Sequence, residues 1–290
     1  MKKLKWASAL LVPALLLGAC SDKEEKEDHA SHGTEEVKVY TVATDVSFPP
    51  FEYEVDGKYI CIDVDIINAI ADDQGFKIKL QPMDFKGIVP SLQAKQVDVG
   101  IAGMSITEDR KEVVDFTDAY FDASISLATK ADNEEITKLE DLKGKKVATK
   151  KGTVSSEFAE KVKSEYGFET VMFDDSASMY LDVKNGNTQA LLEDTPVIKY
   201  AVKQNDELNL KVIDNAVPAD AIASDQYGIA VLKGANPELL EKLNAGLKAI
   251  KENGKYQEIL DKYLEVATET EETTETETEN EVEKEEGKTE

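Results

Sequence analysis

Apolar residues between positions 37 and 264 recur with two alternating periods, one typical of β-strands and the other of α-helices. Residues 37–44 alternate apolar and polar side chains and are rich in β-branched residues, which predicts a strand. Residues 64–74 carry isoleucines at helical spacing, so we expect a helix there, capped by Asp63 and ended by Gly75. Because strands and helices keep alternating, right-handed crossovers should join them into mainly parallel sheets.

This alternation runs twice, which indicates two α/β lobes. The second lobe is expected to comprise residues 124–224, and the first to be discontinuous, comprising residues 37–123 and 225–267. Residues 120–129 are extended and rich in small side chains, so they are predicted to be a passage between the lobes rather than a core strand. With the extended residues 227–231 they predict a two-strand hinge, and the ligand should bind in the cleft between the lobes.

The two ends of the chain differ from this body. Residues 1–20 combine three lysines with an apolar run too short to span a bilayer, which is typical of a secretory signal peptide. The Leu-Gly-Ala sequence before Cys20 resembles the bacterial lipobox, so Cys20 is the expected attachment point of a diacylglyceryl and palmitate anchor. The alternative is an ordinary signal peptide with a chance cysteine. Residues 21–36 are expected to be an acidic tether, and residues 268–290, which alternate Thr and Glu, a disordered tail.

The formal net charge of −25 is distributed unevenly. Residues 21–36 carry −5, residues 269–290 carry −9 and the signal carries +3, so the body keeps −14. A body this acidic argues against nucleic-acid binding and favours solubility outside the cell. Cys61 is the only cysteine besides Cys20, so no intramolecular disulfide is expected. The two histidines both lie in the tether, where two ligands do not make a metal site, and we predict neither a metal nor a cofactor.

The most informative single stretch is residues 100–110. A short apolar strand runs into Gly103 and Ser105, and a helix is predicted to start at Thr107. Glycines allow close approach to the backbone, and the free N–H groups at a helix start attract anions. Arg110 could bind a carboxylate through two parallel hydrogen bonds. The alternative is an ordinary strand–turn–helix with a surface arginine.

Other candidate residues also follow predicted strands. Asp194 could pair with an ammonium group, although its place before Pro196 also fits a helix N-cap. Phe48 and Phe85 could enclose the aliphatic part of a ligand, or simply pack in the core. Together with the expected carboxylate seat at Arg110, these residues form a coherent site for a free amino acid.

Motifs in both lobes extend this interpretation. The body resembles the polar amino-acid-binding proteins of bacterial ABC importers, family 3 solute-binding proteins, and in particular their glutamine-binding members. The resemblance implies a bilobed fold of the periplasmic-binding-protein type II class and delivery to an ABC permease. Because the lipobox-like sequence supplies an anchor, we expect a lipid-anchored monomer on the outer face of the cell membrane of a Gram-positive-type envelope. The matching stretches are Ala43-Thr44-Asp45, Phe48-x-Pro50-Phe51-Glu52, Asp63-Val64-Asp65-Ile66, Pro82-Met83-Asp84-Phe85-x-Gly87-Ile88, Ala102-Gly103-x-Ser105-Ile106-Thr107-x-x-Arg110, Asp194-Thr195-Pro196, Gln226-Tyr227-Gly228-Ile229-Ala230 and Glu252-Asn253-Gly254.

The same resemblance implies ligand-binding roles for a set of residues, with Asp45 and Lys150 addressing a side-chain amide. Three positions depart from the glutamine-binding pattern: Glu193 in place of His, Val154 in place of Gly, and Cys61 in place of Gly in the family signature. The predicted ligand-binding residues, with Glu193 added because of its charge, are Asp45, Phe48, Phe85, Ala102, Gly103, Ser105, Arg110, Lys150, Glu193 and Asp194.

Glu193 leaves the choice of amino acid open. With Asp45 it could pair with a guanidinium or ammonium group, which would make arginine, lysine or histidine the ligand. Lys150 would repel such a cation, so glutamine is the favoured expectation. An enzyme such as a dehydratase on the same fold would need a general acid or base in the cleft, and Glu193 is the only extra candidate for that role. We therefore expect that the protein is not an enzyme. An adhesin or sensory role is a further alternative.

Overall fold

The computed structural model describes residues 37–218 and 225–264. The predicted signal peptide, lipidated Cys20, tether and acidic tail lie outside these residues. The α-helices of the described chain are α1 (Ile62–Gln74), α2 (Ile88–Gln93), α3 (Glu108–Lys111), α4 (Val154–Tyr166), α5 (Ser176–Lys184), α6 (Thr195–Gln204), α7 (Pro237–Glu252) and α8 (Lys255–Leu264). The β-strands are β1 (Val39–Thr44), β2 (Ser47–Phe48), β3 (Glu52–Val55), β4 (Lys58–Tyr59), β5 (Lys77–Pro82), β6 (Val99–Gly100), β7 (Val114–Phe116), β8 (Phe121–Ala123), β9 (Ile125–Lys130), β10 (Lys146–Lys150), β11 (Glu169–Phe173), β12 (Ala190–Asp194), β13 (Leu210–Ile213), β14 (Asp225–Tyr227) and β15 (Ala230–Leu232).

Two five-stranded sheets organise the chain. The first has the strand order β5-β1-β6-β15-β7 and the second β11-β10-β12-β9-β13. In each sheet three neighbouring strands are parallel and the fourth is antiparallel to both of its neighbours, so four of five strands point in one direction. We call the first sheet with its helices lobe 1 and the second sheet with its helices lobe 2.

Helix α1 shows how the sequence sets the local structure. Its isoleucines are fully buried in the core of lobe 1, where α1 packs against α7 and α8. The helix ends at Gly75, whose left-handed backbone (φ 69°) closes the C-terminus as expected. The predicted cap at Asp63 is wrong, because Cys61 holds the N-cap position and Asp63 lies in the first turn with its side chain directed elsewhere.

The chain crosses between the two sheets twice. Strands β8 and β14 pair antiparallel at the crossing, with Tyr227 opposite Phe121, and form the expected two-strand hinge. The prediction that residues 120–129 are only a passage is wrong for their second half. Ile125–Lys130 is strand β9, an interior strand of the second sheet with Leu127 fully buried. No helix within the described ranges is long and apolar enough to cross a bilayer.

Candidate ligand-binding site

The candidate site lies where the carboxyl ends of both sheets face each other. Asp45 directly follows β1, whereas Lys150 and Asp194 are the last residues of β10 and β12. Seven predicted residues line one small pocket, together with Thr153 and Val154 from the start of α4. The lining residues are Phe48, Phe85, Gly103, Ser105, Arg110, Lys150, Thr153, Val154 and Asp194.

Lys150 spans the cleft. Its side chain is 1 % exposed, and its Nζ donates a hydrogen bond to the carboxylate of Asp45 on the other lobe and another, of 3.3 Å, to the carbonyl of Ser47. The same ammonium group lies 4.7 Å from the ring centre of Phe48 and 6.0 Å from that of Phe85. A carboxylate and two aromatic faces therefore surround one buried cation, which is a favourable setting for positive charge.

Arg110 also contacts both lobes. Its Nη1 donates to the carbonyl of Ser105 at 2.6 Å, and its Nη2 donates to the carbonyl of Gly152, in the loop between β10 and α4 of lobe 2, at 2.9 Å. The guanidinium lies 5.4 Å from the ring centre of Phe85. Thr107 caps α3 by accepting a hydrogen bond from the backbone N–H of Arg110, which fixes the start of the helix that carries this side chain.

Gly103 forms the floor beneath Phe48. Its backbone is left-handed (φ 50°), and a Cβ atom there would lie 2.7 Å from the Phe48 ring, so the position requires glycine. Its backbone N–H donates to the buried carboxylate of Asp63 at 2.8 Å. Ser105 lies opposite Tyr227 in an isolated antiparallel β-bridge, and the residues on either side of Ser105 make the hydrogen bonds of that bridge. The N–H of Ser105 therefore points away from Tyr227.

Asp194 has a more specific role than a helix cap. It holds the N-cap position of α6, but its side chain makes no capping hydrogen bond. Instead its carboxylate accepts from Ser155 Oγ at 2.9 Å and from the Tyr227 hydroxyl at 2.6 Å. Tyr227 was missed as a site residue, although its motif at the end of β14 was visible in the sequence.

The structure does not bring Glu193 into the pocket. Successive strand residues face opposite sides of a sheet, so Glu193 points away when Asp194 points in. Glu193 is fully buried and accepts from Ser176 Oγ at 2.8 Å, from the Tyr180 hydroxyl at 3.4 Å and from the Asp194 N–H at 3.0 Å. Burial raises the pKa of its carboxyl, and the Lys150 charge opposes that shift. Glu193 does not line the pocket in this structure, and its direct contact with the ligand stays a prediction.

The remaining predicted positions lie at the edge of the site. Ala102 is buried in the apolar cluster that contains Phe85, and does not line the pocket. Val154, which stands in place of glycine, does line it. Cys61 is a buried free thiol away from the pocket, and burial raises its pKa to about 12. Within the described residues no group of three or more metal-ligating side chains is arranged to hold a metal ion.

The pocket encloses only about 10 Å³. That is about the space of one water molecule, whereas small-molecule sites usually measure several hundred Å³. The lobes must separate, or Lys150 must withdraw, before an amino acid can occupy the space between Phe48 and Phe85.

Comparisons with known proteins identify the class. The pattern of bacterial extracellular solute-binding proteins, family 3, matches residues 40–266, and the chain belongs to this family. It is 30% identical to the arginine-binding extracellular protein ArtP of Bacillus subtilis over 261 residues, covering 89% of this chain and 97% of ArtP. It is 31% identical to the ABC transporter glutamine-binding protein GlnH of the same organism over 278 residues, covering 91% and 98% of the two chains. An ancestral arginine-binding protein bound to arginine superposes with a TM-score of 0.72 at 40% identity, covering 78% and 98%.

These findings confirm the predicted family and the bilobed type II fold. The protein is an amino-acid solute-binding protein of an ABC transport system, and its relatives are transport proteins rather than enzymes.

Proposed function

We propose that this protein captures a basic amino acid, arginine foremost, between its two lobes and delivers it to an ABC permease. The observation that carries the proposal is the buried cation subsite formed by Asp45, Phe48 and Phe85, in which the Lys150 ammonium lies. A guanidinium is likewise a cation. Because it is planar, it can pair with the Asp45 carboxylate and stack on the two rings at the same time. The arginine-binding relatives support this choice over our sequence-based preference for glutamine.

The main-chain groups of the ligand have other partners in the pocket lining. Arg110 and the Ser105 N–H would bind the carboxylate, and Asp194 would bind the ammonium group. Because residues of both lobes contact these ligand groups, binding favours the closed arrangement of the lobes. Each ligand contact that forms only on closure stabilises the closed state. In this proposal the ligand guanidinium replaces the Lys150 ammonium at Asp45, and Lys150 withdraws within lobe 2.

Glutamine is the second candidate, and Lys150 is the observation that favours it. If Lys150 remains beside Asp45, the pair offers an acceptor for the amide NH₂ and a donor for the amide oxygen. The pair has no net charge, so a neutral side chain would fit its electrostatics. The glutamine-binding relative is consistent with this alternative.

Calorimetric titration tests the choice. The protein is unfolded and refolded to remove carried ligand, then titrated with arginine, lysine, histidine and glutamine. We expect arginine to bind most tightly and Asp45→Asn to weaken its binding at least about thirtyfold, because a buried charge pair contributes about 2–5 kcal/mol. Asp72→Asn, which removes the same charge from an exposed position on α1, should change nothing. Tightest binding of glutamine, with arginine insensitive to Asp45→Asn, would overturn the proposal.

We further propose that the protein is anchored through a lipid at Cys20, as the lipobox-like sequence predicts. Metabolic labelling with a palmitate analogue should mark the wild-type protein. Cys20→Ser should lose the label, because it lacks the thiol that would carry the lipid. Absence of the label from the wild-type protein, or a label that persists in Cys20→Ser, would contradict the anchor.

A further inference from the structure

Two carboxyl groups meet in the interior of lobe 1, behind the pocket. Glu52, in β3, is paired opposite Phe48 in the hairpin with β2, and Asp63 lies in the first turn of α1. Both side chains are 0 % exposed, and the carboxyl group of Glu52 lies within hydrogen-bonding reach of that of Asp63.

The two carboxyl groups have unequal surroundings. Asp63 Oδ2 accepts from the Gly103 N–H and from the Tyr120 hydroxyl, each at 2.8 Å. Neither oxygen of Glu52, nor Oδ1 of Asp63, has a hydrogen-bond donor among the described residues. Two buried carboxylates so placed would repel each other strongly, whereas one proton between them would neutralise one group and satisfy both facing oxygens.

The other titratable groups around the pair do not supply a positive charge. The Cys61 thiol, the Asp45 carboxylate and the Tyr120 hydroxyl face it from the start of α1, the end of β1 and the hinge side. Burial is the largest cause of a raised pKa at both Glu52 and Asp63, and the Asp63 charge raises the Glu52 pKa further. Hydrogen bonds from Gly103 and Tyr120 oppose the shift at Asp63, so the proton resides on Glu52.

We propose that Glu52 and Asp63 form a carboxylic acid–carboxylate pair that holds one proton, and that Asp63 is a positioning residue joining the pocket loop at Gly103 to the hinge at Tyr120. The protonated Glu52 donates to Asp63 Oδ1, which leaves Oδ2 free to accept from both partners. Tyr120 directly precedes β8, and its backbone N–H donates to the Tyr227 carbonyl at 2.9 Å. The Asp63 carboxylate therefore connects Gly103, beneath Phe48, with the hinge between the lobes. This connection does not depend on which amino acid binds.

The proton is tested without any ligand. A native glutamate with a raised pKa retains a proton that the unfolded chain releases, so native stability falls as pH rises from the ordinary glutamate range towards the native pKa. In that window the folding constant of the wild type should fall tenfold per pH unit relative to Glu52→Gln, which carries a permanent donor. The wild type should also show the infrared carbonyl band of a buried carboxylic acid at pH 7, and Glu52→Gln should lose it.

Glu54→Gln is the matched control, because it removes a carboxyl from an exposed position on the same strand. Identical pH dependence of stability in Glu52→Gln and the wild type, or an infrared band that persists in Glu52→Gln, would overturn proton sharing.

The positioning role is tested by affinity for arginine and glutamine at pH 7. Glu52→Gln should bind within twofold of the wild type, and Asp63→Ala should bind at least tenfold more weakly. Asp63→Asn should recover most of that loss, because its amide oxygen can still accept from Gly103 and Tyr120. Equal affinities for Asp63→Ala and the wild type would overturn the role. If Asp63→Ala does not fold, Tyr120→Phe decides, because it removes the hydroxyl that donates to Asp63. Unchanged affinity in Tyr120→Phe would contradict the role.

Discussion

Lys150→Met should separate the two candidate ligands in opposite directions. Methionine keeps most of the apolar length of lysine and can still pack between Phe48 and Phe85, but it has no charge. In the wild type a ligand guanidinium must displace the Lys150 ammonium from its ion pair with Asp45. A ligand amide would instead use that ammonium as a donor.

The size of the effect follows from the geometry. A guanidinium at Asp45 with the Lys150 ammonium still in place would put two positive charges about 4 Å apart, a repulsion of about 4 kcal/mol at an effective dielectric constant near 20. Lys150 can withdraw towards Glu193, whose carboxyl already senses its charge. We therefore expect a gain of about 1–3 kcal/mol in binding free energy, so arginine should bind about 5- to 150-fold more tightly to the variant. Glutamine should lose a charged hydrogen bond and bind about 10- to 100-fold more weakly.

Calorimetry on stripped protein measures both constants. Lys151→Met is the control, because it removes the same charge from the adjacent, partly exposed residue whose partner is Asp174. Lys150→Met should also resist denaturant less well than the wild type, since Asp45 loses its cation in the closed protein. Weaker arginine binding to Lys150→Met would refute the displacement of Lys150 and with it the proposed arrangement of the subsite.

Two further changes test closure of the cleft. Gly103→Ala should weaken amino-acid binding at least tenfold in a calorimetric titration, because its Cβ would collide with Phe48. Gly144→Ala has a similar backbone (φ 73°) but open surroundings, so it should lose stability without losing affinity. Asp174→Asn removes an exposed ion pair with Lys86 that joins the lobes at the cleft mouth, so ligand affinity should fall by less than about fivefold and lose part of its salt dependence. A large, salt-independent loss would show that Asp174 does more than pair charges.

Helix and strand patterns in the sequence predicted most of the fold, and the failures have physical causes. Strand β9 is rich in small and hydroxyl residues, so its sequence resembles a linker, yet it is buried because β12 and β13 flank it on both sides. Strands β7 and β13 were not predicted. Each is short and lies at the edge of its sheet, where pairing with a distant segment rather than local pattern decides the structure.

At the site, sequence placed the charged residues near the cleft but not the direction of each side chain. Glu193 and Asp194 are adjacent, and only the register of β12 decides which of them faces the ligand. Asp63 fitted the pattern of a helix cap, but its burial beside Gly103 gives it different partners. Lys150 was expected beside the ligand, whereas its pairing with Asp45 across the cleft depends on how the two lobes meet.

The hinge pairing has a consequence for how the chain acquires its structure. Residue 123 pairs with residue 225, so lobe 2 leaves and rejoins lobe 1 at neighbouring points and is one uninterrupted segment. Lobe 1 instead needs β15 beside β6, a contact between residues about 130 positions apart in sequence. Contacts over such separations form slowly, because a long loop must close first. Lobe 2 can therefore fold as soon as it has emerged, whereas lobe 1 is completed last, when β15, α7 and α8 arrive to cover the edge of β6 and the apolar face of α1.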